Sequence, residues 1–174
     1  MTKAEIEAIA TWVDAGAPRG NPADAPAVAQ LPDFGAWEIE PDLIVTSPPH
    51  TVSAEAGDWW GDYIVDSGTD EDRYIKAIQT KAGDLRVVHH ALTYSVTDPD
   101  APINDSSSDF FLNEYAVGKN ADKYPVETGK VLEANSRVRF SFHYHSIGEE
   151  VVDQTELGMV LYPKEEKPAK VLYS

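Results

Sequence analysis

Apolar positions recur with two different periods along this chain. Near the amino end, Ile6, Ile9, Ala10 and Val13 follow the i, i+3, i+4, i+7 spacing of one helix face. Thr2 followed by Glu5 is a capping-box pattern, and Gly16 and Pro18 stop the helix, which is predicted over 2–15. Residues 20–32 are rich in Ala, Pro and Asp, carry few large apolar side chains and show no period, so they read as an extended linker. From Trp37 onward, short β-branched and aromatic runs alternate with clusters of Pro, Gly, Asp, Asn and Ser. That texture predicts an all-β sandwich or barrel. The candidate strands are 43–47, 62–66, 74–80, 85–96, 110–115, 137–147, 156–162 and 170–173. The expected division is an amino-terminal helix and linker over 1–36 and a β domain over 37–174.

Composition narrows the function classes. The chain has 174 residues, enough for a sizeable core, with 14 Lys plus Arg against 30 Asp plus Glu and a net charge of −16. Nucleic acid and anionic lipid both need a basic footprint, so both are excluded as partners. There is no cysteine, which excludes disulfides, Fe–S clusters, thiolate zinc and covalent c-type haem on this chain. No apolar run approaches the ~18 residues of a membrane span. The amino end is charged and helical, unlike a secretory signal. The chain therefore reads as cytosolic, or as the mature or excised part of an exported protein. Two acidic stretches, 66–72 and 98–109, lack the spacing of a calcium loop and read as solvated surface.

The chemical signal is in the histidines. Five are present, and four form two groups: His89 with His90, and His143 with His145. Along 137–147, Val138, Phe140, Phe142 and Tyr144 alternate with Arg137, Arg139, Ser141, His143 and His145. His143 and His145 thus share the polar face, a geometry suited to a common metal. A regular strand aims His89 and His90 to opposite faces, so both can serve one ion only if the strand is bulged or twisted there. On spacing alone, His90 reads equally as a ligand or as a satisfied core histidine beside Val88, Leu92 and Tyr94. An imidazole-rich site suits Zn, Cu, Fe or Ni, and the affinity order favours Cu(II). Met159 reads first as a core residue, with a copper thioether as the alternative. Trp59 and Trp60, between Gly57 and Gly61, read as core anchors before a binding surface. His50, in a Pro-Pro-His-Thr stretch, reads as an exposed loop residue. No Gly-x-Ser-x-Gly elbow or phosphate-cradling glycine loop is present.

Several of these segments resemble one family. Arg86-Val-Val-His-His-Ala-Leu resembles the His-His segment of the copper type II, ascorbate-dependent monooxygenases, which include peptidylglycine α-hydroxylating and dopamine β-monooxygenases. Arg137-Val-Arg-Phe-Ser-Phe-His-Tyr resembles the strand that supplies the third histidine of the same copper. The connection containing Glu114-Tyr-Ala-Val-Gly and Tyr124-Pro-Val-Glu-Thr-Gly-Lys-Val-Leu, and the tail from His143 through Asp153-Gln-Thr-Glu-Leu-Gly-Met, are similar to bacterial members. The likeness spans roughly residues 37–163. Thr2 to Pro18 resembles the last helix of a class I cytochrome c domain, without its haem-attachment motif.

The resemblance implies an antiparallel jelly-roll β-sandwich with a short amino-terminal helix and an extended linker. It implies copper held by His89, His90 and His143, with His145 as a further or alternative ligand or a neighbouring group. The family's second copper domain has no room in this chain, so the implied role is electron transfer or oxygen activation at one copper. The implied setting is the periplasm or the cell exterior. A cytochrome c domain or other electron donor is the implied partner, with a small molecule or peptide as substrate. Two further readings stand beside it: a non-catalytic binding or assembly module with a structural or vestigial metal site, and a mononuclear zinc hydrolase.

Overall fold

The computed structural model describes residues 1–25, 27, 33–98 and 109–172, and divides the chain into two compact units, Met1–Pro32 and Asp33–Ser174. In the first unit, helix α1 runs Lys3–Asp14. Its capping box is complete: the Thr2 amide donates to Glu5 Oε2 at 2.6 Å and the Glu5 amide to Thr2 Oγ1 at 3.3 Å. Gly16, at φ 85°, turns the chain out of the helix. The Trp12 indole then donates to the Pro18 carbonyl at 2.9 Å. Ile6, Ile9 and Val13 line one side of α1 and remain exposed. The segment predicted as an extended linker contains one 3-10 turn, Pro22–Asp24, capped by the Asn21 side chain. Its residues 26 and 28–32 lie outside the described residues.

The second unit is an all-β sandwich. Its strands are β1 (Leu43–Thr46), β2 (His50–Val52), β3 (Trp59–Asp66), β4 (Arg73–Lys81), β5 (Val88–Val96), β6 (Asp109–Ala116), β7 (Asp122–Lys123), β8 (Thr128–Leu132), β9 (Arg137–Tyr144), β10 (Val151–Asp153), β11 (Glu156–Leu161) and β12 (Lys170–Leu172). One sheet has the order β3-β9-β5-β6. The facing sheet has the order β1-β11-β4-β8-β12, with β7 also on β4, and β2 pairs with β10 as a small ribbon. The pairings are antiparallel except β8 with β12.

The core explains the register. On β9, Val138, Phe140, Phe142 and Tyr144 point inward and are at most 1% exposed. Opposite Phe142 and Phe140 on β5 stand Ala91 and Thr93. Their small side chains leave room for the phenyl rings, and the Thr93 hydroxyl is satisfied by the Asn113 carbonyl at 2.8 Å. The inner face of β5 is therefore the small one, Ala91, Thr93 and Ser95. His90, Leu92 and Tyr94 face outward. Ile75, Ile78, Leu132, Leu157 and Met159 fill the core from the facing sheet.

The second unit begins earlier than the change of sequence texture at Trp37. The Gln79 side chain donates to the Ala36 carbonyl at 3.0 Å and accepts from the Glu38 amide at 2.9 Å. Trp37 lies over Gly158, where a Cβ would stand 2.6 Å from the indole. These contacts fasten the entering chain to β4 and β11.

Candidate metal centre

The His89–His90 pair converges because β5 is bulged. Val88 stands opposite Tyr144 and His90 opposite His143, so His89 is an extra residue on β5. The bulge turns both imidazoles to the outer side, where His143 points from β9. Each of the three offers a ligand nitrogen within 4.8 Å of the others, and among the described residues this is the group able to hold a metal ion.

The rings lie close enough together that they could hold a shared ion. Their centroids are 4.6 Å (His89–His143), 5.0 Å (His90–His143) and 5.4 Å (His89–His90) apart. His89 Nδ1 and His90 Nδ1 lie 3.1 Å apart. Two nitrogens bound to one tetrahedral ion at metal–nitrogen bonds of ~2.0–2.1 Å would be separated by ~3.3 Å. Without a metal, that contact needs a proton on one nitrogen and a lone pair on the other. His143 is 9% exposed, and its Nε2 is buried without a hydrogen bond. Burial, with the charges of His143 and His89 as smaller causes, pushes the His90 imidazole below its ordinary pKa. That keeps it in the neutral form a metal needs.

Two neighbours complete the site. Trp60, opposite His143 in the β3–β9 register, stacks on its ring at 4.0 Å and 12°, while 62% of the tryptophan stays exposed. Asp58, just before β3, places Oδ2 3.2 Å from His143 Nε2. Its Oδ1 lies 2.6 Å from His145 Nδ1. The imidazoles of His145 and, next, His143 hold the Asp58 carboxyl below its usual pKa.

His145 does not join the triad. β9 ends at Tyr144, three residues before the predicted end, so the alternation that would align His145 with His143 stops. The His145 amide donates to the Val87 carbonyl at 2.9 Å, and its exposed ring turns to Asp58. Met159 is fully buried on β11, opposite Leu43 and Ile78, and is a core residue. The Trp pair divides: Trp60 covers His143, whereas Trp59 packs against the core over Gly61, where a methyl group would overlap its indole. His50 is not an exposed loop residue. It is half-buried on β2, stacked on Tyr144 at 4.5 Å, with Nδ1 2.9 Å from the Tyr63 hydroxyl. Burial lowers its pKa, and nearby Asp153 offsets part of the effect.

The acidic stretch 66–72 borders a polar cavity of about 550 Å³ lined by Asp66, Ser67, Asp70 and Ser136. It lies at the other end of β3 and β9 and holds none of the histidines. Residues 99–108 of the second acidic stretch, with Ser106–Ser108, lie outside the described residues. Asp58 was not singled out from the sequence: with 30 acidic residues in the chain, one carboxylate more than 80 positions from its partners gives no signal. Comparison with known proteins found no matching family model and no matching curated protein.

Proposed function

We propose that this chain is a copper-binding domain of a monooxygenase-like oxidoreductase, with His89, His90 and His143 as ligands. The observation that carries the reading is the bulge at His89, which brings three imidazoles from two strands to one point. Neutral imidazoles without thiolate suit copper, and copper binds such sites more tightly than the other divalent first-row metals. His143, buried beside two other imidazoles, fits a metal ligand better than a structural histidine. Copper would supply one-electron chemistry, for electron transfer or oxygen activation. The protein's part is to orient three rings on a rigid sheet and to shield one of them beneath Trp60. The resemblance to copper type II monooxygenases supports this reading. From it follow a cytochrome-like electron donor, a small-molecule or peptide substrate, and a periplasmic or extracellular setting.

The test is copper loading of the metal-stripped chain, with bound metal measured by mass spectrometry. The expected result is one copper per chain, retained against equimolar zinc and lost in His143→Ala. Copper that does not bind stoichiometrically, or binds regardless of His143, would overturn the reading and leave a metal-independent binding module. Zinc retained in preference to copper would favour a hydrolytic site.

A further inference from the structure

We propose that Asp58 sets the charge preference of the three-histidine site, biasing it toward a dipositive over a monopositive ion, with His145 holding the carboxylate in place. The inference rests on the metal-binding reading above. Asp58 is not one of the three converging groups, yet its Oδ2 lies 3.2 Å from Nε2 of His143, one of the three imidazoles. Its other oxygen is fixed by His145 Nδ1 at 2.6 Å. The loop before β3 is tied down as well, since the Ser146 hydroxyl donates to the Ala56 carbonyl at 2.6 Å. The carboxylate is therefore positioned rather than free to wander. Arg86, from the segment leading into β5, is engaged by Asp84 and Glu149, and the structure pairs it with those two carboxylates.

The three histidines are neutral as ligands, so they add no charge of their own to separate Cu(II) from Cu(I). A fixed negative charge beside one of them attracts the dipositive ion about twice as strongly as the monopositive one. Asp58 thus acts as a positioning and charge-setting residue, and His145 acts through it. This gives a role to the one histidine of the two sequence groups that stays outside the triad.

The probes are Cu(I) and Cu(II) alone, each titrated into the intact metal-stripped chain against competing chelators. Wild type, Asp58→Asn, Asp58→Glu and His145→Asn are compared, with circular dichroism checking that each is folded. Asp58→Asn keeps the shape and removes the charge. Its expected effect is a loss of Cu(II) affinity about tenfold greater than its loss of Cu(I) affinity, after allowing for partial solvent screening. Asp58→Glu restores most of the ratio, and His145→Asn shifts it in the same direction as Asp58→Asn but by less. A ratio unchanged in Asp58→Asn, or lost equally in Asp58→Glu, would overturn the inference while leaving the metal site standing. A wild-type chain that binds neither ion would overturn both.

Discussion

Arg139 and His143 sit four residues apart on the outer side of β9, and the sheet buries both: they are 8% and 9% exposed. What differs is how each is answered. Arg139 is paired with Asp62 on β3 at 2.9 Å and with Asp109 on β6, and its guanidinium lies 4.4 Å from the centre of the Tyr94 ring. It ties three strands together across the sheet. His143 has an indole on one face, two imidazoles nearby and the Asp58 carboxylate 3.2 Å from its buried Nε2. A buried polar group with its partners in place serves the fold. A buried imidazole set beside two others stands where an ion could be held.

The contrast can be broken by mutation at either end. Arg139→Leu leaves two largely buried carboxylates without their cation, and about 3 kcal/mol of stability should be lost, measured by urea unfolding. Adding Asp62→Asn and Asp109→Asn should recover much of it. No recovery would mean that packing, not charge, is what Arg139 supplies. His143→Ala should cost the metal-stripped chain only about 1 kcal/mol in the same assay, while metal affinity falls more than about a hundredfold. If His143→Ala costs as much stability as Arg139→Leu, the distinction between the two residues fails.

Acid offers a smaller perturbation that sharpens the same comparison. The folded-state pKa values of His50 and His90 lie below the ordinary value of 6.5. Below about pH 6.5 the unfolded chain therefore binds protons that the folded chain does not. The contribution of these two imidazoles to the stability of the metal-stripped protein should be full above that pH, fall as pH drops toward the folded values, and level off below them. Urea midpoints at stepped pH read this directly, and His50→Gln should flatten part of the slope. A midpoint that rises as pH falls through this window would contradict the burial of these imidazoles. The smallest effect should come from Trp60→Ala. Stability should move little because the ring is largely exposed, and metal release from His143 should quicken in stopped-flow chelation.

Much of the fold was legible because long strands carry their own period. The β9 alternation placed Phe140 and Phe142 inside and Arg139 and His143 outside without any structure. The strands not foreseen are β2, β7, β8 and β10. Three of these have only two or three residues, too few to show a period, and β8 carries Gly129 and Lys130, which weaken the pattern. The sequence left the inward face of β5 open, because packing volume there competes with polarity. Ala91 and Thr93 go inward to make room for phenyl rings that belong to another strand.

The site was legible only as far as its residue types. Adjacent histidines suggested a bulge, but the extra residue appears only when β5 is set against β9. The place of His145 depended on where β9 stops, and the sequence runs past that point without a breaker. Asp58 and Trp60 become neighbours of His143 through strand pairing over more than 80 residues of chain, which no local pattern records.

The central claim is that three imidazoles, His89, His90 and His143, hold one ion. Pulsed EPR of the Cu(II)-loaded chain tests it most directly. The account predicts one copper per chain coupled to the remote nitrogens of three imidazoles, with one coupling lost in each single His→Ala variant that still binds and no change of imidazole count in His145→Asn. Copper coupled to fewer rings, or a signal indifferent to His89, His90 and His143, would contradict it.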